Sequence, residues 1–280
     1  MKTCSFTKMQ AAGNDYIYFN CTRAPLEDPA RMARRLSDRH FGVGGDGIVL
    51  ILPSSCADFR MRMFNADGSE AQMCGNAIRC VGKFIHDRGL SDQNPLVIET
   101  LAGMKRLDLT VEGGAVVQVC VDMGAPQLDA PEIPMALPRG EAVGVRVQAV
   151  GREFTLDGVS MGNPHGVIFG GDPDMEDVEH IGPALEVHPL FPQHANIEFA
   201  QVLDETHLKV RVWERGSGET LACGTGACAA AVAAIRRGYC RMNAEIQVAM
   251  RGGILGVRYD GRCVRLSGSA EFVFDGCCEI

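Results

Sequence analysis

The sequence predicts an α+β protein made twice over: two pseudo-symmetric domains from an internal duplication, each a mostly antiparallel sheet wrapped around a central helix. Three observations lead there. One offset of 149 residues superimposes several separated segments of the chain. The run Ala227-Cys228-Ala229-Ala230-Ala231-Val232-Ala233-Ala234-Ile235 has almost no polar face, and a helix apolar on all sides has to be buried, here inside a sheet. The remaining segments read as short strands, many of them bounded by glycine.

Taken in order, Gly13-Asn14 falls on Gly162-Asn163. Gly42-Val43-Gly44-Gly45-Asp46-Gly47 has the spacing of a dinucleotide fingerprint, but the β-branched run Ile48-Val49-Leu50-Ile51-Leu52 follows it where that fingerprint needs a helix, so it reads as a loop entering a strand. Arg60-Met61-Arg62-Met63-Phe64 falls on Lys209-Val210-Arg211-Val212-Trp213, both with the alternation of half-buried strands. Glu70 falls on Glu219 and Cys74-Gly75 on Cys223-Gly224, and helices predicted over 76–88 and 225–237 each stop at a glycine, Gly89 and Gly238. The same offset carries Ile98 onto Gln247 and Gly103 onto Gly252. Pro126, Pro131, Pro134 and Pro138 make a long helix unfavourable at the junction. The predicted domains are 1–118 with 266–280, and 119–265.

Composition narrows the function. A formal charge of -8 with scattered arginines leaves no basic face for nucleic acid. No apolar stretch approaches the roughly 20 residues of a membrane helix, and the start lacks an apolar signal core, so a cytoplasmic protein is expected. The 12 cysteines have no Cys-x-x-Cys partner pattern, which argues against a zinc site, and most read as buried small hydrophobes. None of Lys2, Lys8, Lys83, Lys105 and Lys209 has the surroundings of a Schiff-base lysine.

Two cysteines sit where chemistry is available. Cys74 and Cys223 each precede a helix whose first turn carries unpaired N–H groups and about half a positive charge, a setting that binds carboxylate and stabilises thiolate. Asn76 and Thr225 supply small polar groups as the helices begin. Two such turns about a pseudo-twofold axis would place a sulfur on either side of one small anion. One thiolate would remove the α-proton of an amino acid while the opposite thiol protonates the other face.

The segment Phe64-Asn65-Ala66-Asp67-Gly68-Ser69-Glu70-Ala71-Gln72-Met73-Cys74-Gly75-Asn76-Ala77-Ile78-Arg79-Cys80 resembles the first catalytic segment of the diaminopimelate epimerase family, and Ala222-Cys223-Gly224-Thr225-Gly226-Ala227-Cys228 resembles the second. Gly13-Asn14-Asp15, Gly162-Asn163-Pro164-His165, Asn196-Ile197-Glu198-Phe199 and Trp213-Glu214-Arg215-Gly216 are similar to that family's other signatures, in its order. The resemblance spans nearly the whole chain. It implies interconversion of LL- and meso-2,6-diaminopimelate in lysine and cell-wall precursor synthesis, with neither metal nor pyridoxal phosphate, in an interdomain site of a homodimer. By motif it makes Cys74 and Cys223 the acid/base pair, with Gly75, Asn76, Gly224 and Thr225 on the reacting carboxylate. Asn65, Asn163, Asn196 and Arg215 would hold the distal amino-acid group, Asn14 and Glu214 the reacting amino group, and His165 with Glu214 would support the thiols. Gly47 departs from the glutamine some members carry, so no side chain there can contact the amino group.

Two other functions fit parts of the pattern. A proline or hydroxyproline racemase resembles the family in fold and in using paired cysteines, but its substrate would give the distal set no purpose. A thiol redox sensor would join Cys74 and Cys223 as a regulatory disulfide without catalysis.

Overall fold

The computed structural model describes residues 3–279; Met1, Lys2 and Ile280 lie outside the described residues. The chain divides into two compact units: the described residues up to Asp122 with those from Ser267 onward, and Met123–Leu266. The first contains β1 (Thr3–Ala11), β2 (Asn14–Asn20), α1 (Pro29–Leu36), β3 (Gly47–Leu52), β4 (Phe59–Asn65), β5 (Glu70–Ala71), α2 (Gly75–Asp87), β6 (Leu96–Thr100), β7 (Gly103–Glu112) and most of β8 (Ala115–Gly124). The second contains β9 (Val145–Ala149), β10 (Arg152–Ser160), β11 (Pro164–Phe169), α3 (Val178–Glu186), β12 (Asn196–Asp204), β13 (His207–Glu214), β14 (Gly218–Thr220), α4 (Gly224–Arg236), β15 (Glu245–Met250), β16 (Gly253–Tyr259) and most of β17 (Val264–Gly268). The chain then returns to the first unit as β18 (Glu271–Glu279).

Each unit is a mostly antiparallel sheet with parallel joints. In the first, β1 lies between β18 and β2, β2 runs parallel to β3, and β4 pairs antiparallel with β3 and parallel with β6. In the second, β10 lies between β9 and β11, β11 runs parallel to β12, and β13 pairs antiparallel with β12 and parallel with β15. The duplication is visible residue by residue. Tyr16 opposes Gly47 as His165 opposes Asn196, and Phe64 opposes Glu70 as Trp213 opposes Glu219.

The central helices α2 and α4 have 13 residues each at equivalent positions, beginning and ending one residue before the predicted bounds. Apart from Thr225, every residue of α4 from Gly224 to Ile235 is buried, and the helix packs on β10 to β13, β15 and β16. Its alanines explain how: small side chains let strands approach the helix on every side. α2 packs in the same way on β1, β2 and β7.

The repeat extends to a further element, and one expectation needs correction. Each unit holds a second, shorter helix besides the central one. α1 and α3 stand at the same 149-residue spacing, each capped by an aspartate, with Asp28 accepting from the Arg31 N–H and Asp177 from the His180 N–H. Beyond the central helix the spacing also lengthens by one residue. Thr100 opposes Gly103 as Met250 opposes Gly253, so the fully buried Ile98 corresponds to the fully buried Val248 and not to Gln247. Strand alternation permits no other match, since a one-residue slip would turn the core-facing side chains outward.

Candidate active site

The first unit brings Asn14, Asn65, Cys74, Gly75 and Asn76 to adjoining element ends. Ala12 and Gly13, both at positive φ (51° and 81°), close the two-residue turn that delivers Asn14 to the start of β2. The Cys74 thiol donates to Asn14 Oδ1 at 3.5 Å, and Asn14 Nδ2 donates to Asp46 Oδ2 at 2.7 Å, so the carboxylate decides which end of the amide faces the sulfur. Asp46 is held in turn by Arg39, which also forks onto Asp15, and Lys8 pairs with Asp15 from the other side. Asn65 ends β4 opposite Gly47, its Nδ2 donating to Ser69 Oγ at 3.0 Å. A Cβ at Gly47 would lie 2.1 Å from the Phe64 carbonyl oxygen, so the backbone itself forbids a glutamine here. Gly75 and Asn76 open α2 and are buried.

The second unit brings Asn163, His165, Asn196, Glu214, Cys223, Gly224 and Thr225 together more tightly. Cys223 Sγ accepts from the Gly226 N–H at 3.4 Å and lies 3.4 Å from Thr225 Oγ1. Asn163 Nδ2 donates to Thr225 Oγ1 at 3.3 Å, and its Oδ1 stands 3.1 Å from His165 Nε2. Glu214 accepts from Thr220 Oγ1 at 2.5 Å. Asn196 is 3% exposed; its Oδ1 accepts from the Arg215 N–H and its Nδ2 donates to the Pro164 carbonyl, so it clasps the backbone that carries Arg215. The Arg215 guanidinium donates to the Gln193 carbonyl at 3.0 Å.

The cysteines themselves occupy the cap positions, with extended backbones (φ −132°, ψ 125° at Cys74 and φ −120°, ψ 117° at Cys223), and Asn76 and Thr225 lie inside the first turns. Only Cys223 caps with its side chain. Helix position does not make Cys223 a ready thiolate. Burial, then the charges of Glu214 and Glu198, push its thiol well above the ordinary range, against the smaller opposing effects of Thr225 and the Gly226 N–H. Burial likewise raises Glu214.

Sequence reasoning missed two residues of this setting. Asp46 was visible only as part of a glycine-rich loop. Glu198, fully buried against His165 with Nδ1···Oε1 at 2.7 Å, lies in the segment Asn196-Ile197-Glu198-Phe199, where a charge flanked by Ile197 and Phe199 in a strand was the available signal. Among the described residues, no group of three or more His, Cys, Asp or Glu side chains is placed to hold a metal ion. Lys8, Lys83 and Lys209 are each engaged by carboxylates.

The family model described as diaminopimelate epimerase matches residues 6–128 and 158–272. A diaminopimelate epimerase from Acetivibrio thermocellus is 51% identical over 273 residues, covering 97% of each chain. Among solved structures, a phenazine biosynthesis protein of the PhzF family from Bacillus anthracis superimposes with a TM-score of 0.74 at 20% identity, covering 100% of both chains. A hydroxyproline epimerase from Agrobacterium vitis with bound trans-4-hydroxy-L-proline superimposes with a TM-score of 0.66 at 14% identity, covering 99% of this chain and 91% of its own. At those identities the two structures speak for the fold alone.

Proposed function

We infer, since the chain belongs to the diaminopimelate epimerase family, that it interconverts LL- and meso-2,6-diaminopimelate at one α-carbon without a cofactor, in the cytoplasm and as a homodimer. Among the described residues no helix is long and apolar enough to cross a membrane. The observation that carries the mechanism is the equivalence of Cys74 and Cys223. Each caps the start of a 13-residue helix at the same place in a duplicated unit, although ten other cysteines share the chain.

In this reading the thiolate of Cys74 takes the α-proton of the LL isomer. An S–H bond forms as the Cα–H bond breaks, and the electron pair left on carbon spreads into the carboxylate, which the first-turn N–H groups of Gly75, Asn76, Gly224 and Thr225 receive. Cys223, kept protonated by burial and by Glu214, delivers its proton to the opposite face and becomes the thiolate. The reverse reaction exchanges the roles. Asn14 and Glu214 receive the reacting amino group. Asn65, Asn163, Asn196 and Arg215 take the distal amino-acid end, Asn196 in part by fixing the Arg215 backbone. His165 supports the thiol side through Asn163.

The test is turnover of LL-diaminopimelate by reduced protein without added metal or pyridoxal phosphate, beside Cys74→Ser and Cys223→Ser. Both variants are expected to fold and to lose most activity. Persisting activity in either would contradict the two-thiol mechanism, and inversion of L-proline at a comparable rate would favour a proline racemase.

A further inference from the structure

Glu198 is a carboxylate with 0% exposure whose second oxygen, Oε2, meets no hydrogen-bond partner, a costly arrangement that folding alone does not call for. Its Oε1 lies 2.7 Å from His165 Nδ1, and it stands at the mouth of α4, where a Cβ on Gly226 would come within 2.7 Å of the same oxygen. From His165 a single chain of contacts leads to the sulfur: Nε2 to Asn163 Oδ1 at 3.1 Å, Asn163 Nδ2 to Thr225 Oγ1 at 3.3 Å, and Thr225 Oγ1 to Cys223 Sγ at 3.4 Å.

The direction of that chain follows from its ends. Both ring nitrogens of His165 face oxygens, Glu198 Oε1 and Asn163 Oδ1, the pairing that a ring with hydrogen on both nitrogens makes beside a carboxylate. Nε2–H then donates to Asn163 Oδ1, which leaves the amide nitrogen to donate to Thr225 and the Thr225 hydroxyl proton to point at sulfur. Were the ring neutral with hydrogen on Nδ1 alone, Nε2 would have to accept. The amide would turn over and draw the Thr225 hydroxyl proton to itself, and the sulfur would lose its donor.

We propose that Glu198 is a positioning residue for Cys223: by holding His165 doubly protonated, it orients the Asn163–Thr225 relay so that a hydroxyl hydrogen bond meets the sulfur as negative charge develops there. This rests on the reading of Cys223 as one of the two working thiols.

The experiment compares the protein with Glu198→Gln by two readouts that need no substrate. Nitrogen-15 spectra of the histidine rings are expected to show His165 doubly protonated in the unsubstituted protein and neutral in the variant. Alkylation by iodoacetamide, followed by mass spectrometry, is expected to slow at Cys223 about tenfold relative to Cys74 in the same molecule, the worth of one hydrogen bond to a charged group. Turnover should show kcat reduced by a similar factor with KM little changed. A neutral His165 ring in the unsubstituted protein would overturn the inference even if the variant failed to fold, as would an unchanged Cys223 to Cys74 ratio in a folded variant. Absence of diaminopimelate turnover in the unsubstituted protein would instead sink the functional reading and leave these two readouts to decide the relay.

Discussion

The duplicated hairpins make one energetic comparison possible within a single chain. Arg62 forks onto Glu70 (2.6 and 2.9 Å) and Arg211 onto Glu219 (2.7 and 2.9 Å), at equivalent positions in the two units. Their burial differs. Arg62 and Glu70 are 33% and 27% exposed, Arg211 and Glu219 only 13% and 7%. Removing one partner of a buried pair costs about 3–5 kcal/mol, but Arg211 keeps hydrogen bonds to the Pro173 and Glu176 carbonyls, which lowers the expected cost of Glu219→Gln to about 2–3 kcal/mol. Glu70→Gln should cost only about 0.5–1 kcal/mol, as for other partly solvated pairs. Urea unfolding followed by fluorescence of Trp213, the single tryptophan, reads the second unit from the residue opposite Glu219, and circular dichroism reads Glu70→Gln. Glu219 also pairs with Arg251 at 3.1 Å, so equal costs, or a larger one at Glu70, would refute the assignment of the difference to burial and this second partner.

Arg211 holds the Glu219 carboxyl below its ordinary value of 4.5, so the stabilisation is fully present above that value and is lost as pH falls through the lower folded value; Glu219→Gln should flatten acid unfolding there, seen as a smaller change in urea midpoint below about pH 5. Gly182→Ala would place a Cβ 2.5 Å from the Trp213 ring, which is anchored by its N–H to Glu186 at 2.6 Å. Overpacking should outweigh the gain in helix propensity by about 1–2 kcal/mol, lowering the melting temperature by several degrees, and kcat should fall because Trp213 adjoins Glu214. Asp46→Ala removes the acceptor that orients Asn14 and should reduce kcat/KM about tenfold or more with little change in melting temperature. Glu214→Gln removes a charge that raises the Cys223 thiol, so the pH at which iodoacetamide begins to modify Cys223 should move down; an upward or absent shift would contradict the electrostatic assignment.

The central elements were legible because duplication repeats their signals. Cys-Gly followed by an apolar run and a closing glycine occurs twice, and both helices form within one residue of the predicted bounds. Glu70 and Glu219 kept their register, but their arginine partners lie across a hairpin and emerge only once the strands pair. The shorter helices escaped notice although Asp28-Pro29 and Asp177 are ordinary start signals, because eight or nine residues hold too little periodicity to stand out. The added residue before β15 was hidden for a different reason: inside and outside positions alternate in a strand, so only burial shows which of Gln247 and Val248 faces the core. The thiol environment was the least legible part. The helix terminus argues for a lowered Cys223, whereas burial and the carboxylates of Glu214 and Glu198 raise it, and those groups come from β13 and β12, distant in sequence.

The most direct measurement is isotope tracking in deuterated water with LL-diaminopimelate and fully reduced protein. A thiol holds only one hydrogen, so the base that takes the substrate proton can return only that proton to the face it left, while the opposite thiol supplies solvent deuterium. Two-thiol inversion therefore predicts deuterium at one α-carbon of the meso product from the first turnovers, with recovered LL substrate still carrying protium. Deuterium entering recovered substrate as fast as product, or entering neither, would contradict it.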